Sequence, residues 1–271
     1  MVNIIDVPLR NFYEKAANII IPVDNDLIFL PDESWGRTFA TGLQKCDLSG
    51  AVVAEVGIGC GINMAGLMLS DKAPREFNAC DLEPASVAAS QWLAKREGIE
   101  ANILQSDLLS AMPDNILKNT DVIIACIPQV VRDPGEIKTE RDFADYYEKR
   151  GVCEDDYGLG LIASMLDESA ARAPHATLIL NIANRPGGER IQAMFDRHGY
   201  TTEIVHKDIV RQDPTTSIES LAQIEKNTGI DFHFYSNPQT KEHIGAREAE
   251  DRRLSGLPVY HNLHVLAAKL G

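Results

Sequence analysis

The sequence predicts an α/β protein, a doubly wound, mostly parallel sheet with helices on both faces. Two observations carry this. From residue 51 onward, short apolar runs alternate with stretches of helical spacing, the pattern of parallel strands joined by crossover helices. The first of these runs ends in "EVGIGCG", residues 55–61, and leads straight into "INMAGLMLS", which has helical spacing. A glycine-rich turn from strand to helix is where such sheets hold nucleotide-like ligands, at the carboxyl ends of the strands.

The elements follow in order. Residues 1–48 form a lead-in: "NFYEKAANIIIPV" is partly helical in pattern, "LIFLPDESW" is extended, and "GRTFATGLQKC" is helical. Residues 49–271 form the main domain. Its strands are expected at 51–56, about 76–81, about 101–105, 121–127 and 177–182, with "TTEIVHKDIVR" as a further strand. "EPASVAASQWLAKREG" reads as a helix, with Pro84 suited to the first turn and Gly98 to the stop. "YGLGLIASMLDESAAR" and "PGGERIQAMFDRHG" read the same way. "DFHFYS" and "VYHNLHVLAA" compete to be the last strand, within a C-terminal extension. The stretch at about 128–156 is long for a connection and reads as an inserted binding loop.

Bulk properties narrow the function classes. The 271 residues are 44% hydrophobic and 24% charged, enough for a normal core, and the formal net charge is −14. That charge disfavours a nucleic-acid partner, because phosphate backbones are held by excess Lys and Arg. No apolar run approaches the roughly 18–20 residues of a membrane span, and the N-terminus lacks a signal-peptide layout. A cytoplasmic protein is expected. The five cysteines form no CxxC, and no HxxxH or Cys/His cluster is present, so reduced thiols and no metal are expected. The histidines at 206, 233, 261 and 264 lie on apolar-patterned stretches and read as core or surface residues.

Three ligands compete for the glycine turn. A P-loop requires GxxxxGK[ST], and no such Lys-Ser or Lys-Thr pair follows here. A dinucleotide fingerprint requires GxGxxG, whereas Gly57, Gly59 and Gly61 give GxGxG with Ile62 next. Glu55 precedes the first glycine on the strand, and this E-x-G-x-G-x-G form resembles motif I of the class I methyltransferases, which bind S-adenosylmethionine (SAM). The next strand ends in Asp81, close to the spacing at which an acid meets ribose hydroxyls, with Leu82 following. The third strand ends in "LQSDLL", where Asp107 resembles that family's adenine-edge acid and Leu108 lies beside the ring. A plain N-cap is the competing role for Asp107. The expected fold is then the class I SAM-dependent methyltransferase fold, with seven strands, and SAM is the expected cofactor.

The fourth strand ends in "CIPQ", residues 126–129, where amide methyltransferases carry a polar Asn-Pro-Pro-Tyr type cradle. With "EDDYGLGLIA" at 154–163, "NRPGG" at 184–188 and "IEKN" at 224–227, the chain resembles the methionine S-methyltransferases, in particular the methyltransferase portion of the plant proteins and their stand-alone bacterial counterparts. "IPVDNDLIFLPDESW" and "FATGL" match that family's lead-in, and the likeness runs from about residue 9 to 266. Cys60 and Ile62 depart from the plant pattern. The resemblance implies methyl transfer from SAM to L-methionine, giving S-methyl-L-methionine and S-adenosylhomocysteine, a first step toward dimethylsulfoniopropionate in bacteria. It implies a small-molecule substrate, with no nucleic acid or membrane partner, and a homodimer as one possible assembly.

That chemistry needs no general base, because a thioether carries no proton. It needs orientation, an acceptor for the methionine ammonium and a donor for its carboxylate. The candidates for the ammonium are Glu154, Asp155 and Asp156; for the carboxylate, Arg185 and Arg247, whose guanidinium suits it bidentately. Gln129 joins them at the strand end. Tyr146, Tyr147, Tyr157 and Tyr260 are candidates to face the sulfonium by cation–π contact. Trp35 and Thr38, in a lead-in expected to lie over SAM as a lid, and Cys126 complete the cofactor set. The alternatives are a SAM-dependent N-methyltransferase acting on an amine or a protein glutamine, a SAM-binding regulatory protein without turnover, and a nicotinamide-dependent oxidoreductase.

Overall fold

The computed structural model describes residues 4–13, 18–22, 33–132, 135 and 145–271. The lead-in begins with an antiparallel pair, β1 (Ile4–Pro8) and β2 (Asn18–Pro22), followed by helix α1 (Glu33–Lys45). Its expected extended stretch lies outside the described residues up to position 32, and Glu33–Trp35 already belong to the helix. The lead-in is not a loose appendage. Ile19, Ile21, Phe39 and Leu43 are fully buried in the same core as Val53, Phe77 and Leu93. Tyr13 lies so close to Gly66 that a Cβ there would fall 2.2 Å from its ring, which explains a glycine in the middle of the helix Ile62–Met68 (α2).

The central sheet is built on β3 (Val52–Val56), β4 (Glu76–Asp81), β5 (Asn102–Gln105), β6 (Val122–Ala125), β9 (Thr177–Ala183), β10 (Tyr200–Arg211) and β13 (Tyr260–Leu270). Their spatial order is β5-β4-β3-β6-β9-β13-β10. The first five pair in parallel, while β13 runs antiparallel to both β9 and β10. Five parallel strands, reversing direction of travel between β3 and β6, with an antiparallel hairpin strand inserted at one edge, form the class I SAM-methyltransferase sheet. Strands β3 and β6 read as near-continuous apolar runs because both faces are covered, as parallel sheets require.

The competition for the last strand resolves in favour of both segments. Phe234–Tyr235 (β11) adds to the Tyr260 end of β13, with Tyr235 opposite Tyr260, and pairs in turn with β12 (His243–Ile244). Among the described residues the sheet therefore has nine strands, two more than the expected seven. A small parallel pair, Val131–Arg132 (β7) with Tyr147–Glu148 (β8), brackets the inserted loop.

Helix α3 (Pro84–Glu97) starts and stops as its sequence dictates. Pro84 sits in the first turn and Gly98 closes the helix in the left-handed conformation. Helices α4 (Asp114–Leu117), α5 (Gly160–Arg172), α6 (Gly188–Arg197), α7 (Glu219–Thr228) and α8 (Ala246–Leu254) follow. The last two pack on a separate small core of Ile218, Leu221, Phe232, Phe234 and Val259. This core anchors the C-terminal extension beside the end of β13.

Candidate active site

The reversal of strand order leaves a crevice between the carboxyl ends of β3 and β6, and a cavity among the described residues opens there. It encloses about 420 Å³. Its floor is the glycine turn. Gly57 has φ +76°, and a Cβ there would stand 2.9 Å from Cγ2 of Ile127, on the loop after β6. Gly59 is also left-handed, at φ +54°. Both glycines are needed for the backbone to pass close to whatever fills the crevice. Gly61 has a different task. It is the N-cap of α2 at φ +80°, packed against Leu93, Met64 and Ser90, and does not line the cavity.

Asp81, at the end of β4, lines the cavity with both carboxylate oxygens already oriented. Oδ2 accepts from the backbone N–H of Gly59 (2.8 Å) and Oδ1 from that of Glu83 (2.9 Å). Burial raises its pKa, against the pull of those N–H groups. Each oxygen keeps a second lone pair, which suits the vicinal hydroxyls of a ribose. Asp107 lines the next part of the wall and pairs with Arg150 at 2.8 Å; it is not simply an N-cap. Leu108 follows at φ +49°, a conformation a non-glycine residue adopts only at a cost of order 1–3 kcal/mol. It is held there with its carbonyl accepting from Sγ of Cys80 (3.0 Å) and its side chain against the cavity. Leu82 and Cys126 also line it.

Glu55 lies beneath the turn rather than in the cavity. It is 1% exposed. Oε1 accepts from Nδ2 of Asn63 (2.8 Å), whose Oδ1 accepts from the Tyr13 hydroxyl (2.8 Å), so the motif's acid is wired into the lead-in. Oε2 has no partner. Burial pushes the Glu55 pKa up to about 8, so the carboxyl is largely protonated at neutral pH. The same burial drives the Cys60 thiol up to about 12, which leaves it unreactive.

On the far wall Trp35, Gly36 and Phe39 of α1 face Gln129, Tyr146, Tyr147, Arg185 and Gln212. Thr38 points elsewhere: it is buried, and its hydroxyl donates back to the carbonyl of Ser34. Arg185 follows β9 and is 3% exposed. Among the described residues its guanidinium reaches one hydrogen-bond acceptor, the Gln129 carbonyl (3.2 Å), and it stands 5.8 Å from the Trp35 ring. Desolvation lowers its pKa to about 10. A buried guanidinium with no carboxylate beside it is costly, and the cavity is the open side from which an anion can reach it. Gln129 lines the cavity too, but its amide is committed elsewhere. Nε2 donates to the Asn181 carbonyl (2.7 Å) and Oε1 accepts from the Ala183 N–H (2.8 Å), tying the end of β6 to β9.

Six substrate candidates do not line the cavity. Glu154 sits in the 3₁₀ turn Cys153–Tyr157, which faces it away toward Arg197 and His198 at the end of α6. Asp156 is exposed, and Tyr157 packs between two cores. Arg247 pairs in a fork with Glu219 (2.7 and 2.8 Å), joining α8 to α7 at the surface. Tyr260 is a strand residue opposite Tyr235 and Arg211. Asp155 is also internal, with Oδ2 accepting from the Gly151 N–H (2.8 Å). Of the four tyrosines, Tyr146 and Tyr147 reach the cavity, and Tyr146 already carries Arg132 over its ring at 3.8 Å.

Sequence reading missed Arg150, Phe39 and Gln212, and also Asn63, which lines the cavity while bonded to Glu55. Gln212 directly follows a long strand and precedes Asp-Pro, a strand-end position like that of Asp81. Its strand, however, reads as polar and half-exposed. The fold also gathers one set of metal-type donors that sequence spacing does not reveal. Donor atoms of Asp231, His233 and His243 lie within 4.8 Å of one another in exposed or half-buried positions, and none of the three lines the cavity.

No family model matches the chain. Curated relatives do. Methionine S-methyltransferase of Hordeum vulgare is 27% identical over 301 aligned residues, covering 98% of this chain and 27% of that protein. The Arabidopsis thaliana protein of the same name is 25% identical, covering 95% of this chain and 26% of its own length. The chain thus spans about a quarter of the length of the curated relatives it matches. Among solved structures, ribosomal protein L11 methylase from Lactobacillus delbrueckii aligns at 13% identity and a TM-score of 0.45, covering 71% of this chain and 79% of that one. A Streptococcus pneumoniae protein in complex with S-adenosyl-L-methionine aligns at 11% identity and a TM-score of 0.47, covering 86% and 72%. The sequence likeness to the methionine S-methyltransferases thus runs over nearly the whole of this chain.

Proposed function

We propose that the chain is a SAM-dependent methyltransferase whose acceptor is the thioether sulfur of L-methionine, with S-methyl-L-methionine and S-adenosylhomocysteine as products. As the resemblance implies, that product would feed synthesis of dimethylsulfoniopropionate. The observation that carries the acceptor is Arg185. A guanidinium 3% exposed, with no carboxylate partner among the described residues, lines the same cavity as the glycine turn and Asp81. An α-carboxylate is the anion it lacks.

SAM, when bound, supplies an electrophilic methyl group on a sulfonium. The acceptor's sulfur lone pair forms the new S–C bond as the old one breaks, the electron pair stays on the departing sulfur, and no proton moves. The chain's own contribution is position. Asp81 and Asp107, already oriented by Gly59, Glu83 and Arg150, suit the adenosine hydroxyls and ring edge. Gly57 and Gly59 let the backbone close on the donor's tail. Arg185 fixes the acceptor from the opposite wall. Trp35, Phe39, Ile58 and Leu161 make the space between apolar, which excludes water and keeps both sulfur centres poorly solvated. Orientation of this kind is worth up to roughly 7–11 kcal/mol in well-matched intramolecular reactions. Tyr146 and Tyr147 line the same cavity, and in this reading their rings serve a cationic centre.

The test is an end-point assay by mass spectrometry, with methyl-labelled SAM and a mixture of free amino acids that includes methionine. Labelled S-methylmethionine is the expected product. SAM binding without it would end the methionine reading and leave an amine acceptor or a silent SAM-binding protein.

A further inference from the structure

Arg185 accounts for one end of an amino acid. A second buried group in the same cavity is also without a partner. Gln212 follows β10, and its backbone N–H donates to the Val259 carbonyl (2.8 Å), which fixes where its side chain emerges. The residue is 5% exposed and lines the cavity, yet its Oε1 has no hydrogen-bond donor among the described residues. A buried carbonyl left unpaired costs roughly 1–3 kcal/mol. The other polar groups of this wall are committed. The Gln129 amide is bonded at both ends to backbone. The Tyr146 hydroxyl accepts from the Ser217 N–H (2.8 Å) and that of Tyr147 from the Gly160 N–H (2.9 Å). Asp213, the next residue, has Oδ1 turned into its own loop, accepting from the N–H and hydroxyl of Thr215.

We infer that Gln212 is the ammonium reader of an α-amino-acid subsite, with Oε1 accepting from the α-ammonium while Arg185 holds the α-carboxylate. The two residues come from different parts of the fold, the ends of β10 and β9, and β13 lies between their strands. On β13, fully buried His261 faces Trp35 at 5.6 Å between ring centroids and has neither ring nitrogen paired. Burial and the nearby Arg185 charge keep it neutral, so it adds no second cation beside Arg185. Arg185 and the Gln212 oxygen together suit a zwitterion over a simple amine, which Arg185 would repel, and over a simple carboxylic acid, which would leave Gln212 unpaired. The inference rests on the thioether reading of the site and adds the class of head group that the site demands.

The experiment measures methyl transfer to methionine and to 4-(methylthio)butanoate, which keeps the thioether, the chain length and the carboxylate but lacks the ammonium. Wild type and Gln212→Leu are compared, and the SAM dissociation constant of each serves as the control for folding and for the donor pocket. The expected result is a KM for methionine raised about 10- to 100-fold by the substitution, a KM for 4-(methylthio)butanoate that is already high in wild type and changes less than about 3-fold, and an unchanged SAM constant. Equal changes for both acceptors, or no change for methionine, would overturn the role of Gln212. So would a weakened SAM constant with an unchanged methionine KM, because the head group read by Gln212 would then belong to SAM. Failure of wild type to methylate methionine at all would remove the thioether reading itself, a distinct outcome seen before any variant is made. Gln212→Glu is the second variant. Its carboxylate keeps the acceptor, so it should retain a methionine KM closer to wild type than Gln212→Leu does.

Discussion

The two walls of the cavity satisfy their polar groups in opposite ways. On the β3–β5 side, nearly every polar group is paired before any ligand arrives: Asp81 with the N–H groups of Gly59 and Glu83, Asp107 with Arg150, Glu55 with Asn63. On the β9–β10–β13 side, Arg185 has a lone carbonyl, Gln212 an unpaired oxygen and His261 two unpaired nitrogens. The first wall is built to be stable empty and merely complementary when full. The second leaves buried polarity uncompensated, which costs stability and is recovered only on binding. Removing a group should therefore act differently on the two sides: strongly and selectively on acceptor recognition for the second wall, and on donor affinity or fold stability for the first.

The largest effect is expected at Arg185. Arg185→Met removes a buried charge of similar length, and truncating one partner of a buried charged pair typically costs 2–5 kcal/mol. The KM for methionine should rise at least about 30-fold while SAM affinity and thermal stability hold or improve, since an uncompensated buried cation has gone. A fall in stability comparable to the loss of methionine affinity would mean that Arg185 is a structural tie to Gln129, and would erase the contrast between the walls. Asp81→Asn tests the other side. It keeps the shape but loses the charge and one acceptor, and should weaken SAM roughly 10-fold with little change in methionine KM. The reverse pattern, read by calorimetry and steady-state kinetics, would exchange the two pockets.

The seam between the walls is Gly57. Gly57→Ala demands a strained φ and places a Cβ 2.9 Å from Ile127, on the loop after β6 across the switch point, so about 1–3 kcal/mol of stability should be lost. Gly98→Ala is the control, with a similar φ of +66° but nothing within 4 Å of the added carbon. The difference between their melting temperatures reports the contact alone. If Gly98→Ala proves as costly, only the backbone angle matters at Gly57, and the close approach of β3 to β6 is irrelevant to it.

The same contrast explains what the sequence made legible. The first wall follows one short local rule, a glycine turn and then an acid at the end of each following strand, so Gly57, Gly59, Asp81 and Asp107 stand where the pattern puts them. Six of the strands, β10 among them, and the helix at 84–97 were readable from local signals such as apolar runs and caps. The second wall is assembled from strand ends far apart in sequence and brought together by an antiparallel insertion. Gln212 and His261 carry no local mark, and Arg185 was visible because a guanidinium in "NRPGG" after a strand is conspicuous. Charge alone misled at Glu154 and Arg247. Nothing in their own segments foretells that Arg197 and Glu219 are waiting for them.

Glu55 is the exception on the well-satisfied wall, and it supplies the smallest and most specific test. Its Oε2 is buried and unpaired, and its pKa stands at about 8 against an ordinary 4.5. A carboxyl with a raised folded-state pKa holds its proton in the native protein over a range where the unfolded chain has released it. Its contribution to stability is thus fully present below about 4.5 and is lost as pH rises through about 8. Glu55→Gln keeps an oxygen for Asn63 and cannot ionise. The stability of the variant minus that of wild type, from urea melts at a series of pH values, should therefore climb across that window and level off above it. Asp81, whose negative charge adds to the upward shift, sharpens the experiment. In an Asp81→Asn background the climb should finish at lower pH. A difference that stays flat with pH would mean that Glu55 is ionised in the folded protein. The floor of the donor pocket would then hold a buried negative charge, and the first wall would be as dependent on its ligand as the second.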